Sequence, residues 1–289
     1  MSIMIHDSIR AAYDLLDQAY TAHTPVAIVG LFSGGNDSLV TMHVLSRWAA
    51  TRSVAFSVAH INTGIGIEAT RVFVRETCAA FGWTLREYKT DPARYVELVT
   101  GRHGYRNIPG GFPGAPLHSM YYRELKDRQV AALMRDMKRG HARNARVVLV
   151  SGIRQQESRR RMGRQYAIYK EKARIWVAPL FGWNTEQLLD YRDAERLPRN
   201  QVSDCLHMSG ECLCGAMNSP GELAEIRFWF PETAAQLDAI AEQVQAAGYP
   251  WGWDEKRPDW YDKVKQGQQM FDGFEPLCSS CQWRQEEAA

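Results

Sequence analysis

The sequence predicts an α/β fold: a doubly wound parallel sheet with a smaller, cysteine-containing domain at its carboxyl end. Three observations carry that prediction. The apolar run 26–32 ends in Ser33-Gly34-Gly35-Asn36-Asp37-Ser38, and Leu39, Val40, Met42, His43, Val44, Leu45 and Trp48 follow at helical spacing. Two more short apolar runs, 54–59 and 147–150, end in the polar or glycine-containing stretches 60–64 and 151–154. After Leu197-Pro198 the composition shifts, and five of the six cysteines lie beyond that point. Strands alternating with helices imply a parallel sheet covered on both faces.

Taken in order, residues 8–22 predict an amphipathic helix, with Ile9, Ala12, Leu15, Leu16 and Ala19 on one side. Residues 26–32 are a buried strand and 39–48 lie on the helix that follows. Residues 54–59 are a second strand, 68–81 a helix and 85–88 a weaker strand. The Gly- and Pro-rich stretch 101–116 reads as an irregular loop. Residues 147–150 are a further buried strand, and Thr185, or alternatively Asn184, caps a later helix. Two domains are expected, over 1–200 and 201–289.

At 289 residues with 45% hydrophobic content, the chain can build a sizeable core. No apolar run is long enough to span a bilayer and residues 1–10 show no signal-peptide pattern, so a cytoplasmic location without a membrane partner is expected. Six cysteines in such a compartment point to metal or redox chemistry rather than disulfides. The net charge of +2 hides a basic segment at 135–174, with a local net of +10, and an acidic one at 211–289, with a local net of −8. The basic segment suits a nucleotide or nucleic acid; read alone, 135–146 is a solvated helix face.

The turn at 33–38 has the makings of a phosphate cradle. Glycines let the backbone approach an anion, successive N–H groups point at it, and a helix N-terminus adds partial positive charge. No Gly-Lys-[Ser/Thr] follows, which excludes a Walker loop. Ser33, Gly34, Gly35, Asn36, Asp37 and Ser38 are therefore the candidate nucleotide-binding set.

These residues fit the SGGxDS form of the PP-loop, and the chain resembles the adenine-nucleotide alpha-hydrolase-like superfamily. Its members include ATP pyrophosphatases, tRNA thiolases and the phosphoadenosine phosphosulfate (PAPS) reductases. The resemblance implies a PP-loop, Rossmann-like domain. Gly152-Ile153-Arg154-Gln155-Gln156-Glu157-Ser158 looks like the G-x-R-x-x-E-S element of the PAPS reductase family, extending to Arg159, Arg160 and Arg161. An arginine fork suits phosphate or sulfate, which makes Arg154 and Arg160 candidates. Asn62-Thr63-Gly64 resembles the family's D-T-G, with Asn in place of the acid. Two readings of Asn62 stay open, a ribose or adenine contact and a helix cap. Pro179-Leu180-Phe181-Gly182-Trp183 through Tyr191 and Leu197-Pro198-x-Asn200 resemble two further family elements, to which no chemistry is assigned. Lys126, in a stretch similar to the family's K-x-x-P-L region, is a candidate phosphate contact, and His118 a weaker one.

Cys205, Cys212, Cys214, Cys278 and Cys281 form a C-x6-C-x-C and a distant C-x-x-C. Such a set suits a [4Fe–4S] cluster, with Zn²⁺ the competing occupant. Cys78, on the predicted helix 68–81, reads as an ordinary buried cysteine. The arrangement is closest to the DndC-type iron–sulfur branch, which acts in DNA phosphorothioation. It implies an ATP-dependent sulfur transferase in which Asp37 orients the loop or a Mg²⁺ ion and Arg154 neutralises phosphates. A DNA or tRNA acceptor and a sulfur donor such as a cysteine desulfurase are its implied partners. The alternative is a sulfonucleotide reductase acting on PAPS or APS, although the upstream Cys-Cys pair and the C-terminal E-C-G-x-H of such enzymes are absent. A non-catalytic nucleic-acid-binding member is the third reading, and an intact Asp37 argues against it.

Overall fold

A computed structural model of the chain describes residues 3–102, 104, 109–156 and 166–258. Helix α1 (Ile3–His23) leads into β1 (Ala27–Leu31), α2 (Asn36–Arg52), β2 (Ser57–Asn62), α3 (Glu68–Ala80), β3 (Leu85–Lys89) and α4 (Pro92–Val99). After the 3₁₀ turn Ala115–Leu117 come α5 (His118–Tyr122), a π-helical turn at Arg123–Asp127 and α6 (Arg128–Met137). Strands β4 (Val147–Val150), β5 (Ile168–Glu171) and β6 (Arg174–Val177) complete the sheet. Helices α7 (Thr185–Ala194), α8 (Gln201–Leu206), α9 (Glu222–Trp229) and α10 (Pro231–Ala246) follow.

The six strands run in the order β3-β2-β1-β4-β6-β5. All neighbours are parallel except the β5–β6 hairpin. The four residues of β4 are all buried, the continuous apolar run that a strand covered on both faces requires. Alternate residues face opposite layers. Ile28, Val148 and Val150 pack with Leu16, Leu45 and Trp48 of α1 and α2. Val29, Val147 and Leu149 pack with Val130, Leu133 and Met134 of α6. The chain order reverses between β1 and β4, and in such sheets that switch point, at the carboxyl edge, is where ligands bind.

Residues beyond 200 bury their apolar side chains against the front of the sheet domain. Leu206, Leu237, Ile240, Trp251 and Trp253 share a core with Ile65, Tyr95 and Tyr121. The indole N–H groups of Trp251 and Trp253 donate to the carbonyls of Phe112 (3.0 Å) and Leu213 (2.8 Å).

Several expectations shift. Helix α1 is longer than 8–22. Strand β2 lies three residues beyond the predicted 54–59, because the strand continues through His60 and Asn62, which are fully or almost fully buried. His60 is accommodated because both ring nitrogens meet partners. Helix α7 is capped by Asn184, the alternative reading: its side chain accepts from Gln187 N–H while Gln187 answers the Asn184 N–H. The β5–β6 hairpin is absent from the sequence reading. Its turn passes through Lys172 at φ +56°, a conformation that usually marks itself with Gly or Asn. Both edge strands carry exposed charge, Arg86, Glu87 and Lys89 on β3 and Lys170 on β5. Among the described residues no helix is long and apolar enough to cross a membrane.

Trp48 is fully buried between α1 and α2 and donates its indole N–H to Asp17 at 2.9 Å. Trp48→Ala is expected to cost about 3–5 kcal/mol, measured by urea unfolding followed by far-UV circular dichroism.

Candidate active site at the carboxyl edge of the sheet

Strand β1 ends against the PP-loop, and α2 starts immediately after it. Gly34 adopts φ +83°, a left-handed conformation that L side chains avoid. A Cβ there would also lie 2.6 Å from Thr70 Cγ2. Gly35 is the N-cap of α2 and supplies no side-chain acceptor. Helix α2 therefore starts without a side-chain cap, and the helix dipole there favours an anion. The Ser33 N–H donates to Ser38 Oγ at 3.3 Å, the two hydroxyls are 3.1 Å apart, and Ser38 donates to the Gly35 carbonyl at 2.8 Å. The loop is thus closed on itself by its two serines.

Gly152, just past β4, permits a close approach. A Cβ on it would lie 2.8 Å from Ser38 N and 2.9 Å from Asp37 C. The chain then delivers Arg154, which is 4% exposed. Its Nε lies 3.1 Å from Asp37 Oδ1 and its Nη1 donates to Thr185 Oγ1 at 3.3 Å. Asp37 and Arg154, from distant parts of the sequence, thus meet at the switch point. Asn36 accepts from Arg192 of α7 at 3.2 Å. Arg159, Arg160 and Arg161 lie outside the described residues.

The cysteine-bearing segment is laid across this edge. The Ile67 N–H donates to the Gly210 carbonyl (2.8 Å), the Leu213 N–H to the Ile65 carbonyl (2.9 Å) and the Thr70 hydroxyl to the Ser209 carbonyl (2.5 Å). A Cβ on Gly35 would lie 3.3 Å from Ser209 Cβ. Glu211, 3% exposed, accepts the Thr63 N–H at 3.0 Å, meets His60 Nε2 at 3.0 Å and lies 3.9 Å from Arg71 Nε. The other ring nitrogen of His60 meets the Phe32 carbonyl at 2.8 Å. Asn62 neither caps a helix nor points outward. Its Oδ1 accepts the Gly64 N–H at 2.9 Å and closes a turn.

Cys212 and Cys214 act on each other's titration, and the Lys126 ammonium acts on both. The interaction with Cys214 and the Lys126 charge hold Cys212 down to about 6 against burial, while the interaction with Cys212 and burial push Cys214 up. Burial would lower Lys126, but the two sulfur atoms outweigh it and its pKa is raised. Lys126 therefore belongs to the cysteine side of the site. Cys205, on α8, is half-buried and packs against the same apolar core. Cys278 and Cys281 lie outside the described residues, and among those described no group of three or more His, Cys, Asp or Glu is placed to hold a metal. Burial pushes Cys78 up to about 12, which makes it an inert core thiol. His118 sits beside the Tyr122 ring.

Glu211, His60, Arg71, Thr70 and Arg192 carry no motif of their own. Asn200 stands in the quoted Leu197-Pro198-x-Asn200 element, which was the one available signal for it.

Residues 27–206 match the phosphoadenosine phosphosulfate reductase domain family. No curated protein sequence matches the chain. Among solved structures, the chain is similar to phosphoadenylyl-sulfate (PAPS) reductase from Candida auris in its phosphate complex. Identity is 18%, the TM-score 0.47, and 71% of this chain and 92% of that one are covered. It is similar to Candida glabrata FMN adenylyltransferase with FAD and inorganic pyrophosphate at 14% identity and TM-score 0.44, over 70% of this chain but only 60% of that one. It is also similar to the U34-tRNA thiolase NcsA from Methanococcus maripaludis with its [4Fe-4S] cluster. There identity is 12%, the TM-score 0.45, and 98% and 87% of the two chains are covered.

Removing Glu211 strands a buried histidine and a backbone N–H. Glu211→Ala is expected to lower stability by about 3–5 kcal/mol, read by urea unfolding. The same pair sets a pH dependence. Burial alone would lower the His60 pKa, but Glu211 and the Phe32 carbonyl outweigh it and the folded value is raised above 6.5. The stabilisation is then complete below the unfolded value and lost as pH rises through the folded one. The urea midpoint of the native protein should therefore fall over that rise in pH, and His60→Gln should flatten the fall.

Proposed function

The chain belongs to the phosphoadenosine phosphosulfate reductase domain family, and on that premise we propose that it is an ATP-dependent sulfur transferase of the pyrophosphatase type. One observation carries this reading beyond the family: the segment bearing Cys212 and Cys214 is hydrogen-bonded along the loop between β2 and α3 and packs Ser209 against Gly35 of the PP-loop. Thiol chemistry and an anion cradle then share one edge of the sheet.

In the proposed reaction an acceptor oxygen attacks the α-phosphorus of ATP, and the bond to pyrophosphate breaks. A sulfur nucleophile at the oxidation level of hydrosulfide then bonds to the acceptor atom that bears this oxygen, and AMP departs with the oxygen. Neither step changes a net oxidation state. Ser33, Gly34, Gly35 and Ser38 hold the leaving pyrophosphate through backbone N–H groups and hydroxyls, and Asn36 borders them. Asp37 orients the loop or a Mg²⁺ ion. Arg154 and Arg160 offset phosphate charge, and Gly152 leaves room for the loop. The protein's part is positioning and charge stabilisation. The basic segment 135–174 supports a nucleic-acid acceptor, DNA or tRNA, and a cysteine desulfurase is the kind of donor that fits.

The donor chemistry fits a thiolate-ligated group. Cys212 and Cys214 influence each other's titration together with Lys126, Cys205 lies in the same core, and four of Cys205, Cys212, Cys214, Cys278 and Cys281, the C-x-x-C pair among them, would hold a [4Fe–4S] cluster or Zn²⁺ and leave one cysteine spare. Such a cluster, when bound, supplies a thiophilic iron centre for sulfur or electrons. Reduction of PAPS or APS is the second reading, favoured by the family match itself.

Protein purified without oxygen is expected to contain iron and acid-labile sulfide and to bind ATP by calorimetry. Gly34→Val should abolish binding, because the backbone there is left-handed and the space is taken. Cys212→Ser should release the metal. PAPS binding with sulfite release would instead establish the reductase reading. Protein with neither iron nor zinc would overturn the metal site.

A further inference from the structure

Asn200 joins three parts of the site and is 3% exposed. Its Oδ1 accepts the Val202 N–H at 3.0 Å and caps α8, the helix that carries Cys205. That contact fixes the amide orientation, since only the oxygen accepts. The nitrogen therefore faces the other way, where it donates to the Gly34 carbonyl at 2.9 Å and to Thr70 Oγ1 at 3.3 Å. Thr70, itself fully buried, passes the contact on by donating to the Ser209 carbonyl.

The bond to Gly34 has a directional consequence. A trans peptide is planar, so its C=O and the following N–H point in opposite directions. Holding the Gly34 carbonyl toward Asn200 turns the Gly35 N–H to the other side of the peptide. Gly34 stands at φ +83° and has the conformational freedom of glycine, so this orientation needs an external hold.

We propose that Asn200 is the positioning residue of the PP-loop: by fixing the Gly34 carbonyl it presents the Gly35 N–H to a nucleotide phosphate, and through Thr70 and Ser209 it ties that loop to the cysteine segment. This rests on the reading that the loop binds a nucleotide.

Two variants test it. Asn200→Ser keeps an oxygen that can cap α8 but is too short to reach Gly34. Asn200→Asp keeps shape and cap but loses the donor. MgATP and PAPS are the calorimetric probes, and hydrogen–deuterium exchange over residues 32–39 is read without nucleotide. Both variants should bind whichever nucleotide the native protein binds about tenfold more weakly. Both should also exchange faster over 32–39 while their far-UV spectra stay native. Native affinity together with native exchange in a folded variant overturns the role of Asn200. Native protein that binds neither nucleotide overturns the nucleotide reading instead, and the exchange data still decide whether Asn200 holds the loop.

Discussion

A carboxylate shut away from water must be answered by its neighbours, and Glu211 is answered from three directions: a backbone N–H at Thr63, the imidazole of His60 and the guanidinium of Arg71. Leaving such a charge unpaired costs several kcal/mol, so the segment that carries it has one position. Gly66 records the fit, because a Cβ there would collide with the Glu211 carbonyl. The two residues on from Glu211 are a cysteine and a leucine, and the next is a cysteine. Where the sulfur atoms lie thus follows from where one carboxylate is neutralised. The same contact makes the polar end of β2 habitable, since His60 would otherwise be a buried titratable ring with one nitrogen unmet.

The anion cradle depends on a different economy of charge. Helix α2 begins without a side-chain cap, and Arg154 stands beside Asp37 at its first turn. A fixed arginine next to uncapped N–H groups makes a region where negative charge is welcome before any ligand arrives. Lys126, carried inward on the π-helical turn, does the same for the sulfur atoms. The two cationic regions flank the segment 209–214 and belong to distant stretches of sequence.

Much of the scaffold was legible because it obeys local rules. Strands β1 and β4 are unbroken apolar runs, and the glycines at 34 and 35 mark a turn whose left-handed residue, Gly34, needs glycine. Arg154 was legible because a strand of known direction aims it. Other features were hidden because their cause is remote. His60 ends an apolar run yet sits mid-strand, since its partners arrive from residues 32 and 211. The β5–β6 hairpin turns at Lys172 without a glycine. Asn184 wins the cap from Thr185 because Gln187 completes the reciprocal bond, which leaves Thr185 free to meet Arg154. Asn200 stood inside a noted motif, but its task became visible only once Gly34 and Thr70 were beside it.

The margins of the sheet bear on how the molecule meets its own kind. Its two outer strands are five and four residues long, and both expose charged side chains to water. A second chain laying a strand along either margin would have to strip hydration from lysine, arginine or glutamate for only a few new backbone bonds. Edge-to-edge growth into fibrils is thereby discouraged by the fold itself, and self-association has to proceed through helical or loop surfaces.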